Sequence, residues 1–162
     1  MTSLPEVVNK LLDGHYTVAT AESCTGGLIA SSIVDVPGAS DCFNEGYITY
    51  SNEAKMKNLG VKEHTLIAHG AVSIETAQEM AKGVRAKAKS DFGISSTGIA
   101  GPGGGSPKKP VGLVYIACAY GENDCIVKEL HLKGDRTQVR NSAAKEALLL
   151  LEECICKVED KN

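Results

Sequence analysis

The sequence predicts an α/β fold, a three-layer α/β/α sandwich around a mixed sheet, in a single domain spanning residues 1–162. Three observations predict it. Helical and strand-like stretches alternate from Leu4 to Ser90, as βα units require. Three β-rich segments then follow over 92–132, and the last two are joined across "GEND", the spacing of an antiparallel hairpin. Helices flank that β-rich centre in the chain on both sides, enough to cover both faces of a sheet. With 162 residues, 43% of them hydrophobic, the chain has the size of one domain and can build a core without disulfide or metal staples.

Residues 4–13 place Leu4, Val7, Val8, Leu11 and Leu12 on one helical face, with Gly14 as the stop. Thr17–Ala21 reads as a strand, Gly26–Val34 as an apolar helix, and "DVPGASD" (35–41) as turn chemistry. "CFNEGYITY" (42–50) is the second strand. A short polar helix runs from Asn52 to Asn58 and ends at Gly60, and "KEHTLIAHGAVS" holds another brief helix and a turn. Over Ile74–Ser90, Ile74, Ala77, Ala81, Val84 and Ala88 step by three and four, with Ser73 as N-cap. The central strands are "FGISSTGIAG", "PVGLVYIACAY" and "DCIVKELHL"; "GPGGGSPKKP" separates the first two. The last helix, Arg136–Cys156, carries a stripe of Val139, Ala143, Ala147, Leu150, Leu151 and Cys154, and Asp135 with Gln138 forms a capping box at its start.

Composition argues against several functions. A net charge of −3 leaves no basic face for nucleic acid, and two Phe, five Tyr and no Trp do not make a base-stacking surface. Lys108 and Lys109 in "SPKK" read as a solvated loop. No apolar run reaches the length of a membrane span, and "MTSLPEVVNKLLDG" lacks the basic and apolar regions of a signal peptide. The six cysteines (24, 42, 118, 125, 154 and 156) include no CxxC pair and read as reduced thiols, Cys154 and Cys156 as packing residues. His15, His64, His69 and His131 show no metal-ligand spacing. The expectation is a cytoplasmic protein with no metal or other cofactor, no nucleic acid and no membrane among its partners. Because small α/β enzymes commonly pair, a homodimer is expected on frequency alone.

Four polar or glycine-rich clusters fall at predicted strand ends, where open α/β sheets bind ligands. They are Glu22–Gly27, "YSNEAK" (50–55), "SSTGIAGPGGG" (95–105) and "KGDRTQVR" (133–140). The glycine-rich cluster is not a Walker A loop, since "SPKK" stands where Gly-Lys-Ser/Thr belongs; GxGxxG fails because Ser106 takes the place of the third glycine. It can still present bare N–H groups to an anion. "SAAK" (142–145) has SxxK spacing but lies inside the last helix, with no SDN or KTG partner elements.

In "TAESCTGG" a carboxylate, a hydroxyl, a thiol and a hydroxyl stand in succession before two glycines. Ser23 there suits an N-cap more often than a nucleophile. The same strand-to-helix junction also suits catalysis, because free N–H groups of Cys24, Thr25, Gly26 and Gly27 can stabilise an oxyanion and the glycines let a substrate approach the backbone. Cys24 competes as nucleophile, since a helix N-terminus lowers a thiol's pKa. A serine would need a base. Lys55 is available for that role if burial or a cationic neighbour such as Arg136 depresses its pKa. On the residues alone, cap, anion cradle, Ser23 and Cys24 all stay open.

"TAESCTGG", "GYITYSNEAK", "HGAVS", "STGIAGPGGG", "KPVGLVYIA" and "GDR", in this order and spacing, resemble the CinA C-terminal-domain family over about residues 5–155. Stand-alone members of that family include nicotinamide-nucleotide amidases, and the chain is similar to that single-domain form. The resemblance implies hydrolysis of the carboxamide of nicotinamide mononucleotide to nicotinate mononucleotide and ammonia, a step of NAD recycling. It implies Ser23 as nucleophile, Lys55 as its base and Tyr50 as a polar partner in proton transfer. Thr97, Arg136 and Arg140 would bind or polarise the substrate, and Arg136 or the loop with Gly98, Gly101 and Gly103 would hold its phosphate. The alternative within the same family is a catalytically silent nucleotide-binding or regulatory domain.

Overall fold

A computed structural model describes residues 3–161, with six α-helices and five strands among them. In chain order these are α1 (Leu4–Asp13), β1 (Val18–Glu22), α2 (Leu28–Val34), β2 (Phe43–Ile48), α3 (Asn52–Leu59), α4 (Glu63–His69), α5 (Ile74–Ala88), β3 (Phe92–Gly98), β4 (Leu113–Tyr120), β5 (Asp124–His131) and α6 (Arg136–Glu159). The strands form one sheet in the order β2-β1-β3-β4-β5. β2, β1 and β3 are parallel, whereas β4 and β5 run antiparallel as a meander from β3. The sheet is therefore mixed, and the hairpin across "GEND" pairs Tyr120 with Asp124.

Burial patterns explain which helix covers which face. β1, β3 and β4 are almost wholly buried, as central strands covered on both sides must be. The edge strand β2 alternates half-buried and exposed residues. On one face α1, α2 and α6 pack Val7, Leu11, Ile29, Ile33, Leu148 and Leu151 against Val18, Ile94 and Ile116. On the other, α5 lays Met80 and Val84 over Ala19 and Ala21, and Ala77 and Ala81 over Ala117 and Ala119. The small residues let α5 lie close to the sheet, and α3 and α4 pack outside it.

The element boundaries differ from expectation in three instructive places. α2 begins at Leu28, because Gly26 and Gly27 have φ of +58° and +105° and form a left-handed entry to the helix. Ile74 stands 47% exposed, so the buried stripe of α5 starts at Thr76 and Ala77. α6 continues past Cys156 to Glu159. The expected caps are present: Ser73 Oγ accepts from Thr76 N–H, and Asp135 with Gln138 closes a capping box.

The topology fixes where a site can form. From β1 the chain turns into α2 on one face of the sheet; from the neighbouring β2 it turns into α3, on the side of α5. The carboxyl ends of these strands therefore part around a crevice, the switch point at which open α/β sheets take ligands. Glu22, Ile48 and Gly98 end the three parallel strands at that edge.

Candidate active site

A cavity of about 280 Å³ opens at this edge, lined by residues from all four clusters, among them Ser23, Tyr50, Lys55, Thr97, Gly101 and Arg136. Larger hollows of about 500 and 480 Å³ lie beside the β4–β5 hairpin, lined by residues such as Lys82, Arg85 and Glu122 or Tyr120 and Asp124. Among the described residues neither hollow pairs a hydroxyl or thiol with a hydrogen-bonded lysine or histidine, so the smaller cavity is the candidate site.

Ser23 follows β1 directly, and its N–H bonds to the Ser96 carbonyl at 3.0 Å, extending the β1–β3 ladder by one residue. Lys55 sits one turn into α3, which Ser51 caps by accepting from Ala54 N–H. The parallel pairing of β1 with β2 brings the two side chains together: Lys55 Nζ lies 3.0 Å from Ser23 Oγ and donates to the Thr49 carbonyl at 2.8 Å. Lys55 is 1% exposed, and among the described residues no carboxylate forms an ion pair with it. Burial holds its ammonium below the ordinary lysine range. With the Thr49 carbonyl taking one N–H, a neutral Lys55 amine can turn its lone pair to the serine hydroxyl.

Cys24 does not behave as a helix-terminal thiol should. It is 5% exposed, and burial pushes its thiol up to about 11, outweighing the opposite pull of a backbone hydrogen bond and of the Lys55 and Arg140 charges. Its role in this structure is that of a small residue packed into the core cluster beneath α2.

The cap of α2 is neither Ser23 nor Cys24. The fully buried Glu22 carboxylate accepts from Thr25 Oγ at 2.6 Å and from the N–H groups of Gly27, Ile29 and Ala30 at 3.2, 2.9 and 3.0 Å. A carboxylate at a helix N-terminus is the charge the helix dipole favours. Sequence reasoning assigned Glu22 no role. The consequence is a correction to the oxyanion cradle expected over Cys24–Gly27. Gly27 N–H is committed to Glu22, Gly26 N–H to the Ser23 carbonyl at 3.1 Å, and Thr25 is sealed from solvent with its hydroxyl also 2.6 Å from Ser96 Oγ. Of the four residues, Cys24 alone lines the cavity.

Three further expectations are refined. Tyr50 is 63% exposed, and its hydroxyl accepts from Arg136 Nη2 at 3.0 Å; it stands at the mouth rather than in a hydrogen bond with Ser23 or Lys55. Thr97 Oγ donates to the Ala71 carbonyl at 2.7 Å, fastening the "HGAV" loop as a cavity wall. Arg140 does not line the cavity, since its guanidinium donates to the carbonyls of Cys24 and Thr25, both at 3.0 Å. Arg136 does reach it, with Nη1 on the Gly101 carbonyl at 2.7 Å. Gly98, Gly101 and Gly103 line the opposite wall, and a side chain at Gly98 would strike Val114 and the Leu113 carbonyl at 2.6 and 2.7 Å. Asn52, missed in the sequence although it lies within "YSNEAK", adds an amide to the lining. Arg136 stands in this lining and no Asp or Glu belongs to it, so the cavity suits an anionic ligand. Among the described residues no group of three or more His, Cys, Asp or Glu is placed to hold a metal ion, and no helix is long and apolar enough to cross a membrane.

Fold and site together define a three-layer α/β protein with a buried serine–lysine pair at the switch point of its sheet. Over residues 2–155 the chain matches the family described as CinA C-terminal domain, and it belongs to that family. A competence-damage inducible protein of Caldanaerobacter subterraneus subsp. tengcongensis is 61% identical over 145 residues, which are 89% of this chain and 35% of that protein. A CinA-like protein of Kosmotoga olearia is 58% identical over 142 residues, 88% of this chain and 34% of the relative. The chain thus spans about a third of the length of these curated relatives. Among solved structures, the competence/damage inducible protein CihA of Agrobacterium tumefaciens has a TM-score of 0.89 at 37% identity, covering 95% of this chain and 99% of the other. A CinA superfamily protein of Klebsiella pneumoniae has a TM-score of 0.90 at 31% identity, covering 96% and 99%.

Proposed function

We propose that this protein hydrolyses the carboxamide of nicotinamide mononucleotide, releasing ammonia and nicotinate mononucleotide. The observation that carries the reading is the buried, counter-ion-free Lys55 with its Nζ 3.0 Å from Ser23 Oγ. A lysine kept partly neutral by desolvation is a competent base for a serine hydroxyl. Ser23 Oγ attacks the carboxamide carbon while its proton passes to Lys55, and the carbonyl oxygen becomes an oxyanion beside the Cys24 N–H. Lys55 returns the proton to the amide nitrogen, ammonia leaves, and an ester on Ser23 remains. Water, deprotonated by the same amine, attacks the ester; the serine recovers its proton and the nicotinate product departs.

The substrate class follows from family resemblance and agrees with the lining. Arg136 and the N–H groups of the loop with Gly101, Gly103 and Gly104 offer a phosphate donors within the same cavity. Ammonia release from nicotinamide mononucleotide, measured for the wild type and for Ser23→Ala, tests the reading. Turnover is expected in the wild type and none in the variant, with nucleotide binding retained. If the wild type leaves nicotinamide mononucleotide and related pyridine nucleotides intact, the cavity is a nucleotide-binding site without turnover.

A further inference from the structure

We infer that Arg140 is a positioning residue: it braces the Ser23–Gly26 turn from the side away from the cavity, so that the turn presents the Cys24 N–H beside the nucleophile. This inference rests on the reading of Ser23 as nucleophile. The peptide planes around Cys24 are held one after another. Gly26 N–H bonds to the Ser23 carbonyl at 3.1 Å and fixes the Ser23–Cys24 plane. Arg140 Nε bonds to the Cys24 carbonyl at 3.0 Å and fixes the Cys24–Thr25 plane; Nη2 bonds to the Thr25 carbonyl at 3.0 Å and fixes the next. Because each peptide unit is planar and trans, holding the Thr25 carbonyl sets the direction of Gly26 N–H, and that N–H, bonded to the Ser23 carbonyl, holds the plane that carries Cys24 N–H.

Glu22 grips the same turn by its donors, the Thr25 hydroxyl and Gly27 N–H, while Arg140 grips it by its acceptors. The turn is therefore clamped between a carboxylate and a guanidinium. Arg136, one turn earlier on α6, reaches the cavity, whereas Arg140 does not, so the two arginines divide the work between ligand and scaffold. The bond pattern is specific to arginine. Two divergent N–H groups on one rigid fork hold two successive carbonyls, which a lysine ammonium on a flexible stem does not reproduce.

The test uses the whole chain and two readouts, ammonia release from nicotinamide mononucleotide and phosphonylation by a fluorophosphonate. In the second, Ser23 Oγ displaces fluoride from phosphorus and its proton passes to Lys55, whatever the natural substrate. Arg140→Ala is expected to lower kcat by about 100-fold, the effect of losing one oxyanion donor, with KM within about two-fold. The phosphonylation rate should fall by a similar factor, and added guanidinium should restore part of it. Arg140→Lys should fall between the two and carries both readouts if the alanine variant does not fold. A folded variant that keeps its phosphonylation rate, or one that raises KM with kcat unchanged, overturns the inference. A wild-type Ser23 inert to the reagent overturns it too. If the wild type is phosphonylated and Arg140→Ala slows that reaction while nicotinamide mononucleotide is untouched, the substrate reading fails and the brace stands.

Discussion

At the scale of single residues the site is governed by one desolvated charge. Lys55 is buried to 1% exposure with a hydroxyl and a carbonyl as partners, so its ammonium form is held below the 10.5 of an exposed lysine. Two outcomes follow from that lowering. The acid limb of kcat/KM should rise with pH as Lys55 deprotonates, with a midpoint below 10.5. Stability should respond with a definite sign. Between the folded-state pKa and 10.5 the unfolded chain binds the proton and the folded chain does not, so stability rises with pH across that window. Below the window both states are charged and the folded protein carries the full desolvation penalty. Urea unfolding of the wild type and Lys55→Met along a pH series should show this extra rise in the wild type alone, and parallel curves would refute it. The same physics acts oppositely on Cys24, whose thiol burial pushes up to about 11, away from the thiolate form.

At the scale of elements, the short helix α2 depends on a residue outside it. Glu22 reaches seven and eight residues forward to cap Ile29 and Ala30, in addition to Gly27 and the Thr25 hydroxyl. Glu22→Gln keeps the shape but sets an amide NH2 against donors, so it should cost about 1–3 kcal/mol in urea unfolding and speed amide exchange at Ile29 and Ala30. Unchanged protection at those two amides would show that the helix is held by its packing instead. This cap also shows what sequence could and could not reveal. The caps at Ser73 and Asp135 were legible because an N-cap and its N3 partner lie within one turn. The α2 cap was not, because the carboxylate comes from a strand and acts across the left-handed Gly26–Gly27 entry. Lys55 could be named as Ser23's base, but no local pattern shows that residues 32 positions apart touch; parallel pairing of β1 and β2 makes the contact. Arg140 lay in one of the clusters singled out, yet only the packing of α6 against α2 and the preceding turn shows that it faces backbone carbonyls rather than the cavity.

At the scale of the whole molecule, the distance between the Ser23 hydroxyl and the Lys55 amine is set by a stack of layers. Ser23 is fixed to the sheet through β1, whereas Lys55 rides on α3, which packs on α5 and shares a core cluster, through Leu59, with Ala19 and Ala21 of β1. The joint between α3 and α5 is Gly83. A Cβ there would stand 1.9 Å from the Leu59 carbonyl oxygen and 2.9 Å from its carbon at the end of α3, too close for any side chain, and that carbonyl belongs to backbone that cannot swing aside. Gly83→Ala must therefore separate the two helices, and the displacement passes along α3 to Lys55, one turn before Leu59. The overpacking should cost about 1–3 kcal/mol of stability. Because a shift of about 1 Å in a catalytic group lowers turnover by about 100-fold, kcat should fall by that order at temperatures where the variant is still folded. KM should change little, since Arg136 and the glycine-rich wall belong to other elements. Thermal unfolding and steady-state kinetics on the same preparation measure both effects. A folded Gly83→Ala protein with full kcat would mean that the serine–lysine contact is held from within the cavity, and not by the packing of α3 on α5.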